Sequence, residues 1–271
     1  MTSNPNARHP DPTEPTVAAV REHWDRAAAS YDRLRGHGLF GDREHSAWCG
    51  LLERVLPVGT KRVLDIGTGT GFLALLLAEL GYRVVGVDNS PVMLAAGARA
   101  AQARDLDIEF VLGRALLTDT DGRGDLAEVR GDRFDAVVSR HVLWTMERPE
   151  EAIRAWRSVT VPGGAVIAID GTWFGGSMHR RAGARVGRTL RRLTGGAPEH
   201  RDGVYARSAS ETFPLMAARS PEPAGNAFRR AGLHDVRTEY LDGIDAVERS
   251  EMSFADRLAS PWRRYLVEGT A

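Results

Sequence analysis

Cysteine is almost absent from this 271-residue chain, and long hydrophobic runs are absent. Cys49 is its one cysteine, which excludes an internal disulfide and any metal site built from several thiolates. No apolar stretch approaches the roughly 18 residues that a membrane-spanning helix needs. Residues 1–16 contain four prolines and lack the apolar core of a signal peptide. We therefore expect a disordered leader over residues 1–16, a cytoplasmic location and no membrane contact.

An excess of charge is missing too. Lysine plus arginine and aspartate plus glutamate both number 36, so the formal net charge is zero, and Lys61 is the only lysine. A neutral chain is not expected to be drawn electrostatically onto nucleic acid. A hydrophobic fraction of 42% and a charged fraction of 27% are ordinary for a soluble globular protein. The length allows one large α/β domain.

Strand-like and helix-like segments alternate along most of the chain. Such alternation predicts a parallel sheet with right-handed crossovers and helices on both faces. The predicted strands are 62–66, 83–87, 108–112, 134–139, 164–170, 236–241 and 264–267, and the predicted helices are 17–34, 43–55, 72–80, 91–104 and 149–159. The fold class is therefore α/β, with a doubly wound, seven-stranded sheet whose last strand is antiparallel. We expect one domain over residues 17–271, with N-terminal lid helices at 17–56 and a cap insertion at about 171–230.

The clearest motif is a glycine-rich turn between the first predicted strand and the helix that begins at Phe72. Gly67, Gly69 and Gly71 alternate with threonines, and glycine lets the backbone pass close to a ligand beside the N–H groups of a helix N-terminus. Asp88 ends the second strand, where a carboxylate can accept both hydroxyls of a ribose. The combination predicts a site for an adenosine-containing ligand; the alternative is an ordinary turn with a solvated aspartate.

The spacing of the glycines distinguishes between adenosine cofactors. A dinucleotide fingerprint requires glycine at position 72, which is Phe72 here. Asp65, two residues before the first glycine, can bind the ammonium of an amino-acid moiety, which a dinucleotide lacks. The pattern therefore favours S-adenosylmethionine, and an NAD-dependent oxidoreductase is a distant alternative.

From about Trp24 to Trp173 the sequence resembles the class I S-adenosylmethionine-dependent methyltransferases. The similarity is greatest to the small-molecule branch that holds quinone-pathway and antibiotic-tailoring enzymes. It rests on the stretches Val63–Gly71, Gly86–Leu94, Phe134–Ser139 and Val161–Gly164, and on Trp24–Asp32, which resembles the lid helix of that branch.

The resemblance implies a role for several residues. The first strand and its turn would hold the methionine portion of the cofactor through Asp65, Gly67, Thr68, Gly69 and Gly71. Asp88 would bind the ribose, Asn89 and Met93 would flank the adenine, and Ser139 would line the methyl-transfer end. Tyr31 would close over the sulfonium; the alternative is a core tyrosine on an amphipathic helix.

The sequence departs from the family after the third strand. An aspartate often stands there and accepts from the adenine amino group, whereas this chain has Arg114 followed by Ala115. Arginine only donates hydrogen bonds. A backbone carbonyl near Ala115 or a side chain of the 114–132 loop would have to replace the aspartate.

Two residues at strand ends are candidates for catalysis. His141 follows the fourth strand and Asp170 ends the fifth, at the edge where open α/β sheets bind ligands. His141 would take a proton from a hydroxyl or phenol acceptor, and Asp170 would orient His141 or act as the base itself. Alternatively, His141 simply packs with Trp144. No grouping of ligand side chains has the spacing of a metal site.

Three functions remain open. The first is methylation of a hydroxyl or amine on a small secondary metabolite. The second is a non-methylating protein, such as a cyclase, that retains the cofactor. The third, a nucleic-acid methyltransferase, is disfavoured by zero net charge and by Ser139-Arg140-His141-Val142, where amino-methylating DNA enzymes carry two prolines and an aromatic residue. An arginine-rich run over 179–192 is interpreted as a solvated helix face. Both a monomer and a homodimer remain possible.

Overall fold

A computed structural model describes most of the chain outside the leader and the cap insertion. The described residues are 17–28, 31–33, 37–114, 129, 133–172, 183–184, 186–187, 189–190, 213–259 and 262–271. The predicted leader, most of the arginine-rich run and much of the predicted cap lie outside these ranges.

A single twisted sheet forms the centre of the molecule. Its strands are β1 (Arg62–Ile66), β2 (Arg83–Asp88), β3 (Ile108–Leu112), β4 (Phe134–Arg140), β5 (Thr160–Gly171), β6 (His234–Tyr240) and β7 (Arg264–Thr270). They lie in the order β3-β2-β1-β4-β5-β7-β6. β7 runs antiparallel to both β5 and β6, whereas β1 to β5 pair in parallel. The predicted seven-stranded, doubly wound sheet with an antiparallel last strand is confirmed.

Helices cover both faces of the sheet. They are α1 (Val17–Ala27), α2 (Asp42–Val55), α3 (Phe72–Glu79), α4 (Pro91–Ala103), α5 (Pro149–Val159), α6 (Glu222–Arg230), α7 (Asp242–Ser250) and α8 (Phe254–Ala259), with 3₁₀ turns at Tyr31–Arg33 and Leu143–Thr145. Successive strand residues point to opposite faces. Val137 and Val166 therefore pack under α5 and α6, whereas Val138 and Ile167 pack under α2, α3 and α7.

Four elements differ clearly from the sequence predictions. The first helix was predicted to reach residue 34, but α1 ends at Ala27 and a separate 3₁₀ turn follows. β5 begins at Thr160 and not at the predicted residue 164, and its register shifts around Gly163, which has a φ of 79°; Pro162-Gly163-Gly164 thus forms a bulge inside a longer strand. Helices α7 and α8 were not predicted, and Asp245 and Glu248 of α7 are buried although they are charged.

The end of the predicted cap insertion belongs to the helical layer of the sheet. α6 packs against α5, β6 and β7, and Phe228 on α6 is fully buried in the core under that face. A cap over the strand ends therefore remains a proposal for the part of the insertion that precedes α6.

Ligands bind in such folds at the carboxyl ends of the parallel strands. The amino ends of these strands lie on the opposite side of the molecule from that site. Lys61 immediately precedes β1 and is exposed. Its backbone N–H donates to Asp135 Oδ2 at 2.8 Å, and the N–H of Arg62 donates to the same oxygen at 2.9 Å. These two bonds lower the pKa of Asp135 and tie β1 to β4 at the edge opposite the site.

Within the described ranges, no helix combines the length and the apolar character that crossing a bilayer would require.

Candidate functional site

A cavity of about 250 Å³ lies at the carboxyl ends of β1, β2 and β4. The strand order reverses between β1 and β4, and open α/β sheets bind ligands at this point. Its wall draws on the glycine turn, the ends of β2 to β4 and the N-terminal helical segment: Trp24, Tyr31, Gly67, Gly69, Val87, Asp88, Asn89, Met93, Gly113, Arg114, Arg140, His141, Val142, Thr145, Met146, Glu147, Arg148 and Phe213.

Gly67 and Gly69 shape the wall in two different ways. Both have a positive φ, of 66° and 56° respectively, and residues other than glycine rarely adopt this backbone conformation. A Cβ on Gly67 would lie 2.3 Å from Val142 Cγ2, so only glycine fits there. A Cβ on Gly69 would meet no described atom closer than Gly67 O at 4.0 Å. Gly69 therefore presents bare backbone to the cavity.

Asp88 connects the two loops that border the cavity. Its Oδ2 accepts from the backbone N–H of Gly69 at 2.9 Å, and its Oδ1 accepts from the N–H of Ser90 at 2.9 Å. Burial raises the pKa of Asp88, and the N–H groups of Ser90 and Gly69 oppose that rise. The carboxylate is thus held in the cavity wall, with lone pairs left for a ligand.

Other predicted cofactor residues divide into two groups. Asn89, Met93 and Arg114 line the cavity. Four residues are not part of its wall among the described residues: Asp65, Thr68, Gly71 and Ser139. Ala115 lies outside the described residues. The role of each remains a prediction.

Asp65 is buried beside the cavity, with 1% of its surface exposed. Its Oδ2 accepts from Thr68 Oγ1 at 2.7 Å. Burial raises the pKa of Asp65 to about 7. A bound cation would favour the charged carboxylate, which is the direction that the predicted ammonium contact requires.

His141 lies in the cavity wall in an unusual backbone conformation. Its φ is 61°, and its N–H donates to Ile169 O at 2.8 Å. The imidazole meets the ring of His37 edge to face, with the centroids 5.4 Å apart. Burial, followed by the charge of Arg140, holds the pKa of His141 well below 6.5. The ring is therefore neutral near pH 7 and able to accept a proton.

Asp170 is close to His141 in the sheet but has another role in the described structure. It is 1% exposed, and its Oδ2 accepts from the backbone N–H of Trp144 at 3.0 Å. This bond anchors the 3₁₀ turn that follows His141. Asp170 is not part of the cavity wall among the described residues. That it orients His141 or acts as the base itself remains a prediction.

Tyr31 is placed at the cavity together with Trp24, as the lid prediction requires. Both side chains line it, and their rings meet edge to face at 5.8 Å. The Tyr31 ring also contacts the ring of His37 at 4.4 Å. The N-terminal segment thus supplies one aromatic side of the cavity.

Arg140 is a cavity residue that the sequence interpretation missed. It ends β4 and is only 9% exposed. Its guanidinium carbon lies 3.6 Å from the centroid of the Phe72 ring, and its Nη1 donates to His37 O at 3.4 Å. Burial lowers the pKa of Arg140 to about 10, so it stays cationic at neutral pH. An arginine at the last position of a buried strand, directly before His141, was the available signal.

A buried charge cluster lies beyond Arg140 on the same face of the sheet. Arg264 opens β7 and is 1% exposed. Its Nη1 donates to Asp245 Oδ1 at 2.8 Å and also to Glu248, and its backbone N–H donates to Asp245 Oδ2 at 3.0 Å. The Trp48 ring lies near both guanidiniums, 5.1 Å from Arg140 and 6.0 Å from Arg264.

The described part of the chain holds no group of three or more histidine, cysteine, aspartate or glutamate side chains that could bind a metal ion.

Comparison with known families bears directly on this site. The family model described as "Methyltransferase domain" matches residues 64–168. Demethylmenaquinone methyltransferase of Thermus thermophilus is 36% identical over 122 residues, which are 44% of this chain and 51% of that protein. Ubiquinone biosynthesis O-methyltransferase of Cereibacter sphaeroides is 31% identical over 119 residues, 43% of each chain. This chain therefore spans about half the length of the curated relatives it matches.

Solved structures share the fold at low sequence identity. Phosphoethanolamine N-methyltransferase 2 of Haemonchus contortus, in complex with S-adenosyl-L-methionine, has a TM-score of 0.57 at 17% identity and covers 91% of this chain and 57% of its own. The [4+2]-cyclase SpnF has a TM-score of 0.57 at 18% identity, and the match covers 97% of this chain and 98% of SpnF. Residues 64–168 thus match a methyltransferase domain, and the sheet that contains them has the fold of these solved structures.

Proposed function

We propose that this protein transfers the methyl group of S-adenosylmethionine to a hydroxyl or an amine of a small molecule. The observation that carries the proposal is one cavity in which the glycine turn, Asp88 and a buried neutral His141 meet. When bound, S-adenosylmethionine supplies an electrophilic methyl group on its sulfonium.

The residues of the cavity fit this cofactor. The bare backbone at Gly69 accommodates its amino-acid end, and the fixed Asp88 carboxylate can accept the ribose hydroxyls. Met93 and Asn89 follow Asp88 and would border the adenine. Arg140 supplies a buried cation for the α-carboxylate, a pairing that charge-assisted hydrogen bonds strengthen.

The main contribution of the protein to methyl transfer is to position the acceptor against the methyl group. Alignment of an acceptor with an electrophilic carbon can lower the barrier by roughly 7–11 kcal/mol. Trp24, Tyr31 and Phe213 offer ring surfaces for an acceptor beside His141. Neutral His141 then takes the proton that a hydroxyl loses as it is methylated.

Calorimetry with S-adenosylmethionine and S-adenosylhomocysteine tests the proposal at its first step. We expect both to bind the purified, folded protein. Transfer of a labelled methyl group is then measured against a panel of phenols, alcohols and amines. Failure of both ligands to bind would refute the proposal, and binding without transfer to any acceptor would favour a non-methylating protein.

Replacement of Asp88 by asparagine tests the ribose contact. Asparagine keeps one carbonyl oxygen, but it loses the charge and one of the two acceptors that Gly69 and Ser90 use. A hydrogen bond to a charged group contributes about 1.5–3 kcal/mol. We therefore expect the dissociation constant of S-adenosylhomocysteine to rise about 10- to 100-fold, as measured by calorimetry.

Asp107→Asn is the matched control, because Asp107 is exposed and precedes β3. It should leave the dissociation constant unchanged. Equal affinities for Asp88→Asn and the wild-type protein would remove Asp88 from the cofactor site.

A further inference from the structure

The cavity is bordered on one side by a segment that is not part of the sheet domain's own layers. This N-terminal cover consists of residues 17–28 and 31–33, namely α1 with its following residue and the 3₁₀ turn. Ala27 and Ala28 pack against Met93 at the start of α4, and Trp24 and Tyr31 line the cavity. The cover has to be in this position for the cavity to have its aromatic side.

Two hydrogen bonds fasten the cover to the two loops of the candidate cofactor site. Ser90 Oγ donates to Asp25 Oδ1 at 2.5 Å, and Thr70 Oγ1 donates to Asp32 Oδ1 at 2.5 Å. Thr70 belongs to the glycine turn, whereas Ser90 follows Asp88 by two residues. One bond is therefore made to each of the two loops that Asp88 connects.

The hydroxyl partners are rigid parts of the domain. Thr70 is 3% and Ser90 0% exposed, and Ser90 Oγ also accepts from the N–H of Met93 at 3.0 Å, which caps α4. A buried hydroxyl without an acceptor is unfavourable. Each carboxylate of the cover thus accepts from a hydroxyl that is buried when the cover is in place.

Charge acts against this closure. Burial is the main cause of the raised pKa of Asp88, and the like charge of Asp25 adds to the rise. Repulsion between the two carboxylates opposes the bond from Ser90 to Asp25. The cover is held by hydrogen bonds from two neutral hydroxyls.

We infer that Asp25 and Asp32 are positioning residues that hold Trp24 and Tyr31 in the cavity wall, and that the demethylated cofactor leaves only after both bonds to Ser90 and Thr70 have broken. The inference rests on the proposed function, because it assigns the cavity to S-adenosylmethionine and its product. It adds control of product release by two named carboxylates.

The release rate of S-adenosylhomocysteine tests this inference in the full-length protein. Fluorescence of Trp24, which lines the cavity, can follow dissociation in stopped flow. We expect Asp25→Ala and Asp32→Ala each to accelerate release about tenfold, and the double variant about a hundredfold. Asp25→Asn keeps an oxygen acceptor for Ser90 and removes the repulsion from Asp88, so it should release the product no faster than the wild-type protein.

Glu22→Ala is the control on the same helix, because Glu22 forms an exposed pair with Arg26, at 2.8 Å, and does not line the cavity among the described residues. Hydrogen exchange of the ligand-free proteins is a second measurement that needs no cofactor. Residues 17–33 should exchange faster in both alanine variants than in Glu22→Ala. Equal exchange and equal release in all variants would overturn the inference while product binding by the wild-type protein upholds the proposed function.

Discussion

Replacing His141 with asparagine is expected to reduce turnover about 10²–10⁴-fold, the usual contribution of a general base. Asparagine is among the few residues that tolerate a left-handed backbone such as the φ of 61° found here. The variant therefore removes the base without forcing the turn to rearrange. Turnover is measured at saturating S-adenosylmethionine with the best acceptor from the screen, and calorimetry checks that product affinity is retained.

The pH dependence of kcat/KM provides an independent test of His141 as the general base. Burial lowers the pKa of His141, so the imidazole stays neutral well below pH 6.5. Activity limited by this base should therefore hold as the pH falls through 6.5 and decline only at a lower pH. His141→Asn should lack that decline. The control is His45→Asn, an exposed histidine on α2 that pairs with Glu79. Near-normal turnover of His141→Asn would exclude His141 as the base.

Replacing Arg264 with methionine is expected to lower the free energy of unfolding by about 3–5 kcal/mol, because it leaves buried carboxylates without their cation. Asp245 and Glu248 are 4% and 0% exposed, so water cannot replace the guanidinium. Methionine retains much of the apolar length of the side chain, which limits the loss of packing. Urea unfolding followed by circular dichroism measures the change.

The neighbouring residue provides the matched control. Arg263 pairs with Asp242 of helix α7 at 2.6 Å, but the side chain of Arg263 is 35% exposed and that of Asp242 65%. Exposed pairs contribute about 0–1 kcal/mol, so Arg263→Met should change the unfolding free energy by less than that. Comparable losses in the two variants would show that burial of the Arg264 cluster does not determine its contribution.

The sheet could be predicted from sequence because its strands are short and apolar. β1 contains Val63, Leu64 and Ile66, and β4 contains an apolar run over residues 136–138; short apolar runs of this kind are typical of strands covered on both faces. Alternation with helices then implies a parallel sheet. The bulge in β5 could not be predicted, because a proline followed by two glycines also marks an ordinary turn between elements.

Helix α7 and its partners show where a pattern of single residues fails. Asp245 and Glu248 look like solvated positions until Arg264, which lies 19 and 16 residues further along the chain, is folded onto them. Long-range pairing reverses the burial that polarity predicts. Arg140 was missed for the same reason, since its placement depends on the Phe72 ring from another element.

The residues of the candidate site that lie within single turns could be singled out from the sequence. Gly67, Gly69 and Asp88 belong to two consecutive turns, and the structure places all three in one cavity. The bonds from Ser90 to Asp25 and from Thr70 to Asp32 join residues 65 and 38 positions apart. No local pattern encodes such pairs, and their geometry appears only when the N-terminal cover is packed.

The isolation of Lys61 has a practical consequence for work on this protein. It is the only lysine, and it is exposed at the edge of the sheet opposite the cavity. Apart from the chain's α-amino group, an amine-reactive dye or sensor surface would couple at this one point. Every molecule attached through Lys61 would share one orientation, with its cavity directed away from the support.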